Sequence, residues 1–239
     1  MNAGHATLLL AALLACPLSP VWANDRPYAN TWTAVGDEDD DGLWALETWA
    51  QTLGPRRGLT LAPEYAFNPR TTLQFEFTLA RDHGEAAREL EVEFKQLFNS
   101  YARDGWGVGV VASLGLGTSL GREAGQGGRS FKAQDVALRL PVSLRLSEEG
   151  AVLHLNVGVE KPRGQARALF RSVATEVPLF RRTTAFAELS RSGDATLAQL
   201  GVRHWIKRER FAVDMGVLRA HEGGARQRGW SLGLSWFDL

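Results

Sequence analysis

The chain has 239 residues, 44% of them hydrophobic, and its 27 basic side chains are balanced by 27 acidic ones. A formal charge of zero argues against a general nucleic-acid binder, because phosphate contacts require an excess of basic groups. No run of about 18 apolar residues follows the N-terminal region, so the sequence also excludes a membrane protein built from helices.

Residues 1–23 are typical of a cleavable export signal. Residues 6–15, "ATLLLAALLA", form an apolar stretch, and "VWA" at 21–23 has the small residues of a signal-peptidase site. The alternative is lipoprotein processing at "LLAC", which would lipidate Cys16; we favour cleavage after Ala23 because Pro17 directly follows the cysteine. Cleavage after Ala23 removes the only cysteine, so the exported protein is predicted to form no disulfide.

An acidic cluster separates this signal from the rest of the chain. In "DEDDDGLWALETWA" (37–50), the spacing matches the first half of an EF-hand calcium loop at Asp37, Asp39, Asp41 and Gly42. The match ends there, because the twelfth position is Thr48 rather than Glu and the following residues are typical of a strand. We therefore predict neither a metal nor a cofactor, and interpret residues 24–42 as an acidic segment in the periplasm.

From Leu43 onward, apolar and polar residues alternate, as is typical of strands with one apolar face. Segments of about 9 to 12 residues suit strands that cross a bilayer at a tilt. The sequence therefore predicts an all-β fold, a single antiparallel transmembrane β-barrel at 43–239 with about twelve strands and a count between 10 and 14. The predicted strands lie near 43–51, 57–67, 72–81, 88–98, 105–117, 133–146, 151–160, 166–177, 181–190, 196–206, 210–219 and 228–237.

Two features of this pattern are ambiguous. Residues 84–98, "GEAARELEVEFKQLF", would also form an amphipathic helix, but the alternation of Leu90, Val92 and Phe94 favours a strand. Pro63 and Pro141 interrupt two predicted strands, and since proline cannot donate a backbone hydrogen bond we expect a β-bulge at each.

The polar face of the predicted strands carries charges of both signs. In a transmembrane barrel the apolar face meets lipid, and the other face lines the lumen with polar, small and paired charged side chains. The alternative is the solvated face of a soluble β protein. We predict a narrow lumen, cross-linked by opposite charges and lined by Glu64, Glu76, Glu91, Glu93, Lys95, Arg139, Arg145, His154, Glu176, Glu188, Arg203 and Asp214.

The connections between the predicted strands differ by parity. Those after odd-numbered strands are longer and richer in glycine, up to residues 118–131, as in a barrel with both termini in the periplasm. Aromatic residues near both sets of strand ends predict two interfacial belts. The outer connections are basic, and we expect a rim that pairs with the phosphates of lipopolysaccharide. This rim comprises Arg56, Arg57, Arg122, Arg129, Lys132, Lys161, Arg163, Arg226 and Arg228.

Motifs for nucleotide binding or catalysis are weak. "GLGTSLG" follows an apolar strand, but the residues after it cannot begin the helix that a dinucleotide site requires. His154 lies on the polar face of a predicted strand, where a lipid hydrolase would need Ser143 or Ser172 as its nucleophile. Nothing in the sequence fixes that geometry, so we interpret His154 as structural and predict that the chain is not an enzyme.

The arrangement as a whole resembles the small outer-membrane β-barrels of Proteobacteria, near the porin-like transporters. The resemblance covers nearly all of the chain after the signal. It is carried by the start "NDRPYANTW", by "TAFAEL", "LGVRHWI", "RFAVDMGV" and "WSLGLSW" in the closing strands, and by the aromatic C-terminus. It implies an outer-membrane location and insertion by the barrel assembly machinery. The last strand of such proteins usually ends in Phe, whereas this chain ends "WFDL".

We therefore predict a porin- or transporter-like barrel that passes or binds small solutes through a narrow polar lumen. The alternatives are a non-conducting structural barrel sealed by Glu–Arg pairs and, third, a lipid-modifying enzyme.

Overall fold

The computed structural model describes residues 27–36, 42–119 and 132–239. Within these residues, twelve antiparallel strands close into one barrel, in which each strand pairs with its neighbours along the chain and the last pairs with the first. The predicted single barrel of about twelve strands is confirmed. The strands are β1 (Leu43–Leu53), β2 (Arg56–Asn68), β3 (Thr71–Asp82), β4 (Glu85–Leu97), β5 (Trp106–Ser119), β6 (Lys132–Arg145), β7 (Val152–Pro162), β8 (Ala168–Phe180), β9 (Thr183–Ser192), β10 (Ala195–Lys207), β11 (Phe211–Glu222) and β12 (Ala225–Trp236); a short helix, α1 (Tyr101–Asp104), precedes β5.

The ambiguous segment around residues 84–98 is a strand, as predicted, because β4 covers most of it. Its apolar residues Leu90, Val92 and Phe94 face outward in register with those of β3, so the alternating pattern is satisfied by sheet pairing.

The outer wall of the barrel is apolar. Large hydrophobic side chains point outward from successive strands, and Leu79, Leu200 and Met215 are each about 60% exposed. A soluble monomer rarely exposes so continuous an apolar surface, whereas a transmembrane barrel places such a surface against lipid. Among the described residues, no helix has the length and hydropathy needed to span a membrane.

The two ends of the barrel differ less in loop length than the sequence predicts. We call the end at which β1 begins and β12 ends the proximal end, and the opposite end the distal end. At the distal end, four hairpins turn over two residues each, at 54–55, 83–84, 193–194 and 223–224. The prediction of longer connections is wrong for these hairpins, because the strands extend into the polar segments that were interpreted as loops. Residues 120–131 lie outside the described residues.

The two prolines do not mark bulges. Pro63 stays opposite Leu46, and Pro141 stays opposite Asn156, without a change of register. Each proline instead lies where the ladder on its other side is interrupted, between β2 and β3 or between β5 and β6. The missing donor is therefore accommodated by a local loss of pairing. The register shifts lie elsewhere, at Ala66–Asn68, Gly115–Leu116, Pro178–Phe180 and Trp205–Lys207.

Among the described residues, aromatic side chains form an outward-facing belt at the proximal end but not at the distal end. Its exposed members are Trp44, Phe67, Phe98, Trp106, Phe180 and Trp236. Trp205, which also lies near a proximal strand end, is buried inside the barrel against Phe237. At the distal end, Trp230 is exposed on the outer wall, whereas Phe170 is buried in the lumen. Phe131 lies outside the described residues.

We expect the lipid-facing wall to reject charge in a way that depends on depth. Met215→Arg, in the middle of β11, should lower the free energy of unfolding by about 2–4 kcal/mol, because charge at the bilayer midplane is costly. Leu169→Arg, next to the distal end of β8, should cost only about 0–1 kcal/mol. Urea titration in liposomes, followed by tryptophan fluorescence, measures both values; equal costs would contradict a membrane-spanning wall.

Candidate functional site

The side chains that were predicted to line the lumen lie on the inner face of the wall. Most are buried, and Arg203 and His154 are only 1% exposed. Glu76 and Glu91 border inner cavities, and Arg145 lies at the proximal mouth. The full set is Glu64, Glu76, Glu91, Glu93, Lys95, Arg139, Arg145, His154, Glu176, Glu188, Arg203 and Asp214. Whether these side chains contact a solute stays a prediction.

The lumen also contains part of the chain that the sequence analysis placed outside the barrel. Residues 27–36, which we call the lumen segment, run along the inner wall, and Tyr28, Thr31 and Trp32 are buried there. The periplasmic placement of these ten residues within 24–42 is therefore wrong. Their backbone is stabilised in the lumen because the wall offers hydrogen-bond acceptors and donors at several of these residues.

Successive strands hold the first half of the lumen segment. The backbone N–H of Ala29 donates to Gln199 of β10 and to Glu188 of β9, at 2.8 Å in both cases. The N–H of Asn30 donates to Glu188 Oε1 at 3.0 Å. The hydroxyl of Thr31 then bridges Glu188 and Ser172 of β8, at 2.9 and 2.8 Å.

The same pattern continues over the next two strands. Asn156 of β7 binds Trp32 twice, since it accepts from the backbone N–H and donates to the carbonyl, both at 2.9 Å. Ser143 of β6 accepts from the backbone N–H of Ala34 at 2.8 Å. Five consecutive strands, β10 to β6, thus each contribute at least one polar side chain to the segment.

A pocket in the wall holds the side chain of Tyr28. Its hydroxyl donates to Glu176 Oε1 at 3.1 Å. The rings of His154 and Phe186 meet its ring edge-on, at 5.6 and 5.8 Å between centroids. Gly201 makes room for Phe186, because a Cβ at that position would collide with the phenyl ring.

A second pocket holds Trp32. Its indole N–H donates to Glu93, and the guanidinium of Arg139 lies over the ring at 3.7 Å from the centroid. Phe170 packs edge-on against the same ring at 6.1 Å. Arg139 in turn pairs with Glu160, so its charge is neutralised where a cation–π contact also stabilises it. Tyr28 and Trp32 are therefore the two aromatic anchors of the segment.

The structure does bring together the three residue types of a hydrolase. Ser143 Oγ lies 2.8 Å from His154 Nδ1, and His154 Nε2 lies 3.7 Å from Glu176 Oε1. All three are buried, and they bind Ala34 and Tyr28 of the lumen segment. These three residues are thus part of the surface that binds the lumen segment, and the segment covers them.

A buried network of charged and polar side chains crosses the seam at which β1 and β12 close the barrel. Arg203 of β10 donates to both carboxylate oxygens of Asp214 on β11, at 2.6 and 2.9 Å. Glu47 of β1 lies 4.0 Å from the same guanidinium. Ser235 of β12 donates to Glu47 at 3.1 Å. Strands on both sides of the β1–β12 pairing are therefore linked by one buried network.

The short helix α1 covers the proximal mouth. Tyr101 is buried against Val35 of the lumen segment and Val152 of the wall. Arg145 lies over the Tyr101 ring at 5.4 Å and donates to the carbonyl of Ala102. Burial raises the pKa of the Tyr101 hydroxyl, although the nearby Arg145 opposes the shift. The end of the segment is thus enclosed by a packed, uncharged tyrosine.

Cavities lie beside and above the lumen segment within the described part of the chain. One, of about 170 Å³, separates the segment from β1, β11 and β12, and is bordered by Glu47, Asp214 and Ser231. Another, of about 460 Å³, lies at the distal end and is lined by Arg56, Glu76, Glu89, Glu91, Gln134 and Asp135. Among the described residues of this lining, carboxylates outnumber the one arginine, and a cleft lined by one sign of charge concentrates counter-ions.

Among the described residues, no group of three or more His, Cys, Asp and Glu side chains is arranged to hold a metal. Asp37, Asp39 and Asp41 of the calcium-like sequence lie outside that part of the chain.

The predicted basic rim is divided by the structure. Arg56 faces the distal cavity and pairs with Glu89 at 2.7 Å, so it belongs to the lumen side. Arg57, Lys161 and Arg228 point outward from their strands by alternation, and the side chains of Lys132, Arg163 and Arg226 are exposed at the same end. Arg122 and Arg129 lie outside the described residues.

No protein-family model matches this chain, and no curated protein does. Solved structures match its fold. The KdgM porin superposes with a TM-score of 0.61 at 12% identity, over 80% of this chain and 98% of that one. The NanC porin gives a TM-score of 0.55 at 8% identity, over 81% and 98%. The translocator domain of the autotransporter NalP from Neisseria meningitidis gives 0.50 at 12% identity, over 98% and 96%.

At these identities the likeness concerns the fold. The chain has the architecture of a small outer-membrane β-barrel of the porin-like kind, as predicted, and it carries a segment of its own in the lumen.

We expect Asp214→Ala to lower the free energy of unfolding by about 3 kcal/mol, because the buried charge of Arg203 loses its bidentate partner. The double variant Arg203→Met/Asp214→Leu should be less destabilised, since only Glu47, which keeps its hydrogen bond from Ser235, then remains as a buried charge of this network. Asp194→Ala, at an exposed pair with Arg191, serves as the control and should change stability by less than about 1 kcal/mol. Urea titration in liposomes tests this order, and a double variant as unstable as Asp214→Ala would contradict it.

Proposed function

We propose that this protein is a porin-like channel of the outer membrane for small polar solutes, and that its lumen segment holds it closed. The observation that carries the proposal is the manner in which the segment is bound. Wall side chains hold it in the lumen, but it takes no part in the strand ladder that forms the barrel. Each such hydrogen bond contributes about 0.5–1.5 kcal/mol, because water or a solute can replace it. The lumen segment can therefore dissociate from the inner wall without breaking the strand pairing that closes the barrel.

The charge of the distal cavity supports a class of solute. One structure that shares the fold is the KdgM porin in complex with disordered oligogalacturonate, whose sugar units carry carboxylates. In this chain Glu76, Glu91 and Asp135 border the distal cavity, with Glu76 directly opposite Glu91. Carboxylate rings favour cations in channels. We therefore propose neutral or cationic polar solutes for this lumen rather than acidic saccharides.

A second candidate function is a non-conducting structural barrel. It is favoured by the buried Arg203–Asp214 network and by the extent of the polar contacts around the lumen segment. The two candidates differ in one respect: a channel conducts once the segment is released, and a sealed barrel does not. We propose no catalytic role for Ser143 and His154, because the segment covers both.

The proposed setting is the outer membrane, reached after removal of residues 1–23 and with the help of the barrel assembly machinery. In this orientation the proximal end faces the periplasm, and the basic distal end faces lipopolysaccharide. Arg57, Lys161 and Arg228, which point outward there, are suited to phosphate groups by charge.

Release of the lumen segment should open the channel. Burying an aromatic side chain such as Trp32 contributes about 3–5 kcal/mol in a packed site. We therefore expect Tyr28→Ala/Trp32→Ala to raise the open fraction in planar bilayers at least about tenfold over the wild-type protein. Conductance should rise further when residues 27–36 are deleted, because the segment then no longer occupies the lumen.

A reversible lock provides the matched control. Thr31 Oγ1 and Ser172 Oγ are 2.8 Å apart, so cysteines at both positions place two sulfur atoms within reach of a disulfide. When Thr31→Cys/Ser172→Cys is added to Tyr28→Ala/Trp32→Ala, oxidation should abolish the current and a reductant should restore it. The single cysteine variants should not respond. If the deletion variant folds, as judged by heat-modifiable migration, and passes no current, the channel is wrong and the structural barrel is supported.

A further inference from the structure

Three arginines lie close together on the outer wall near the distal end. Arg57 of β2 is directly opposite Arg81 of β3. Arg88 of β4 is directly opposite Leu79, which is the neighbour of Arg81 on the outer face of β3. All three side chains are exposed and point outward, since they alternate with residues of the inner face. The arginines therefore form a triangle over three adjacent strands.

Such an arrangement is unfavourable for the isolated protein. Like charges directly opposite each other on neighbouring strands are destabilising. Within the described residues, none of the three arginines has an ion-pair partner. Asp82 and Glu85, which follow at the hairpin, belong to the inner face by alternation, and Glu89 pairs with Arg56 on the lumen side. The arginines of the outer wall are therefore available to an anion from outside the chain.

An apolar lane continues from these arginines toward the middle of the barrel. Leu59 is directly opposite Leu79, and Leu61 is directly opposite Phe77, all on the outer wall and about half exposed. A groove of about 460 Å³ joins the two parts, with Arg57, Arg81 and Arg88 at one end and Leu59 and Leu79 beside them. Ala86, directly opposite Arg81 on the same outer face, has a small side chain that leaves this space open.

We propose that this groove binds a phosphorylated lipid of the outer leaflet, with a phosphate group on Arg57, Arg81 and Arg88 and an acyl chain along the leucine lane. Guanidinium groups bind phosphate through paired hydrogen bonds, and three of them on adjacent strands can contact its oxygens from different sides. The lipid supplies both the missing negative charge and an apolar surface that matches Leu59 and Leu79.

Arginines oppose each other at two further places on the same end of the barrel, Arg171 with Arg191 and Arg219 with Arg228. Arg191 is partly neutralised there by the carbonyl of Gly193 and by Asp194. The groove of β2 to β4 has the third arginine and the adjoining cavity, so it is the site we assign. The site depends on the proposed outer-membrane location but not on channel activity.

Native mass spectrometry of the full barrel in detergent tests the site. The probes are lipid A with two phosphates, the same lipid after enzymatic dephosphorylation, and inorganic phosphate alone. We expect Arg57→Gln/Arg81→Gln/Arg88→Gln to weaken binding of phosphorylated lipid A at least about tenfold and to leave the weak binding of the dephosphorylated lipid unchanged. The control variant Arg70→Gln/Arg182→Gln/Arg210→Gln removes three positive charges at the proximal end and should bind like the wild type.

Three results would overturn the proposal. Equal losses in the test and control variants would show a general charge effect, equal binding of both lipids would show an apolar surface only, and tight binding of inorganic phosphate alone would show an anion site without lipid. Heat-modifiable migration verifies folding. If the triple variant does not fold, Arg81→Gln alone, on the middle strand of the three, is compared with Arg182→Gln in the same way. The triple variant in the Tyr28→Ala/Trp32→Ala background should conduct normally, so a failure of lipid binding is separable from a failure of the channel.

Discussion

A backbone N–H group inside a closed barrel must find an acceptor there, because the strand ladders already occupy the backbone groups of the wall. The lumen segment meets this requirement with side chains: Gln199, Glu188, Asn156 and Ser143 accept its N–H groups in turn. The remaining charges of the lumen pair among themselves, as Arg203 does with Asp214, since a buried charge without a partner is costly. Hydrogen-bond satisfaction in an enclosed space thus determines the inner face of most strands.

The same constraint explains why the wall has glycine at particular positions. At Gly107 of β5, a Cβ would collide with the carbonyl oxygen of Ala34. At Gly201 of β10, it would collide with the Phe186 ring that packs against Tyr28. Glycine weakens a strand, so its presence at these two positions indicates a need for close approach rather than for a turn. Lumen filling and wall composition are therefore linked.

The strands of the wall were predictable from the sequence, whereas the lumen segment inside the barrel was not. Alternation in segments such as β3 predicts a strand because lipid on one side and a polar lumen on the other impose a period of two. The lumen segment has no such period, since successive residues bind different strands, and it was therefore interpreted as a periplasmic lead. Two aromatic residues in a polar stretch, Tyr28 and Trp32, were the available signal, together with neutral polar residues such as Asn156 on the inner face. The loop-length argument failed because polar residues near the distal hairpins extend the strands instead of ending them.

The order of events in folding follows from where the partners of the lumen segment lie. Its hydrogen bonds join residues separated by 61 positions, for Trp32 and Glu93, up to 172 positions, for Pro27 and Gln199. Contacts of such separation carry a large loop-closure cost and form late. The side chains that bind the lumen segment come together only after β6 to β10 have paired. Residues 27–36 therefore lack these partners until the second half of the barrel has formed. We therefore expect the barrel to be assembled with an open interior, which residues 27–36 enter afterwards.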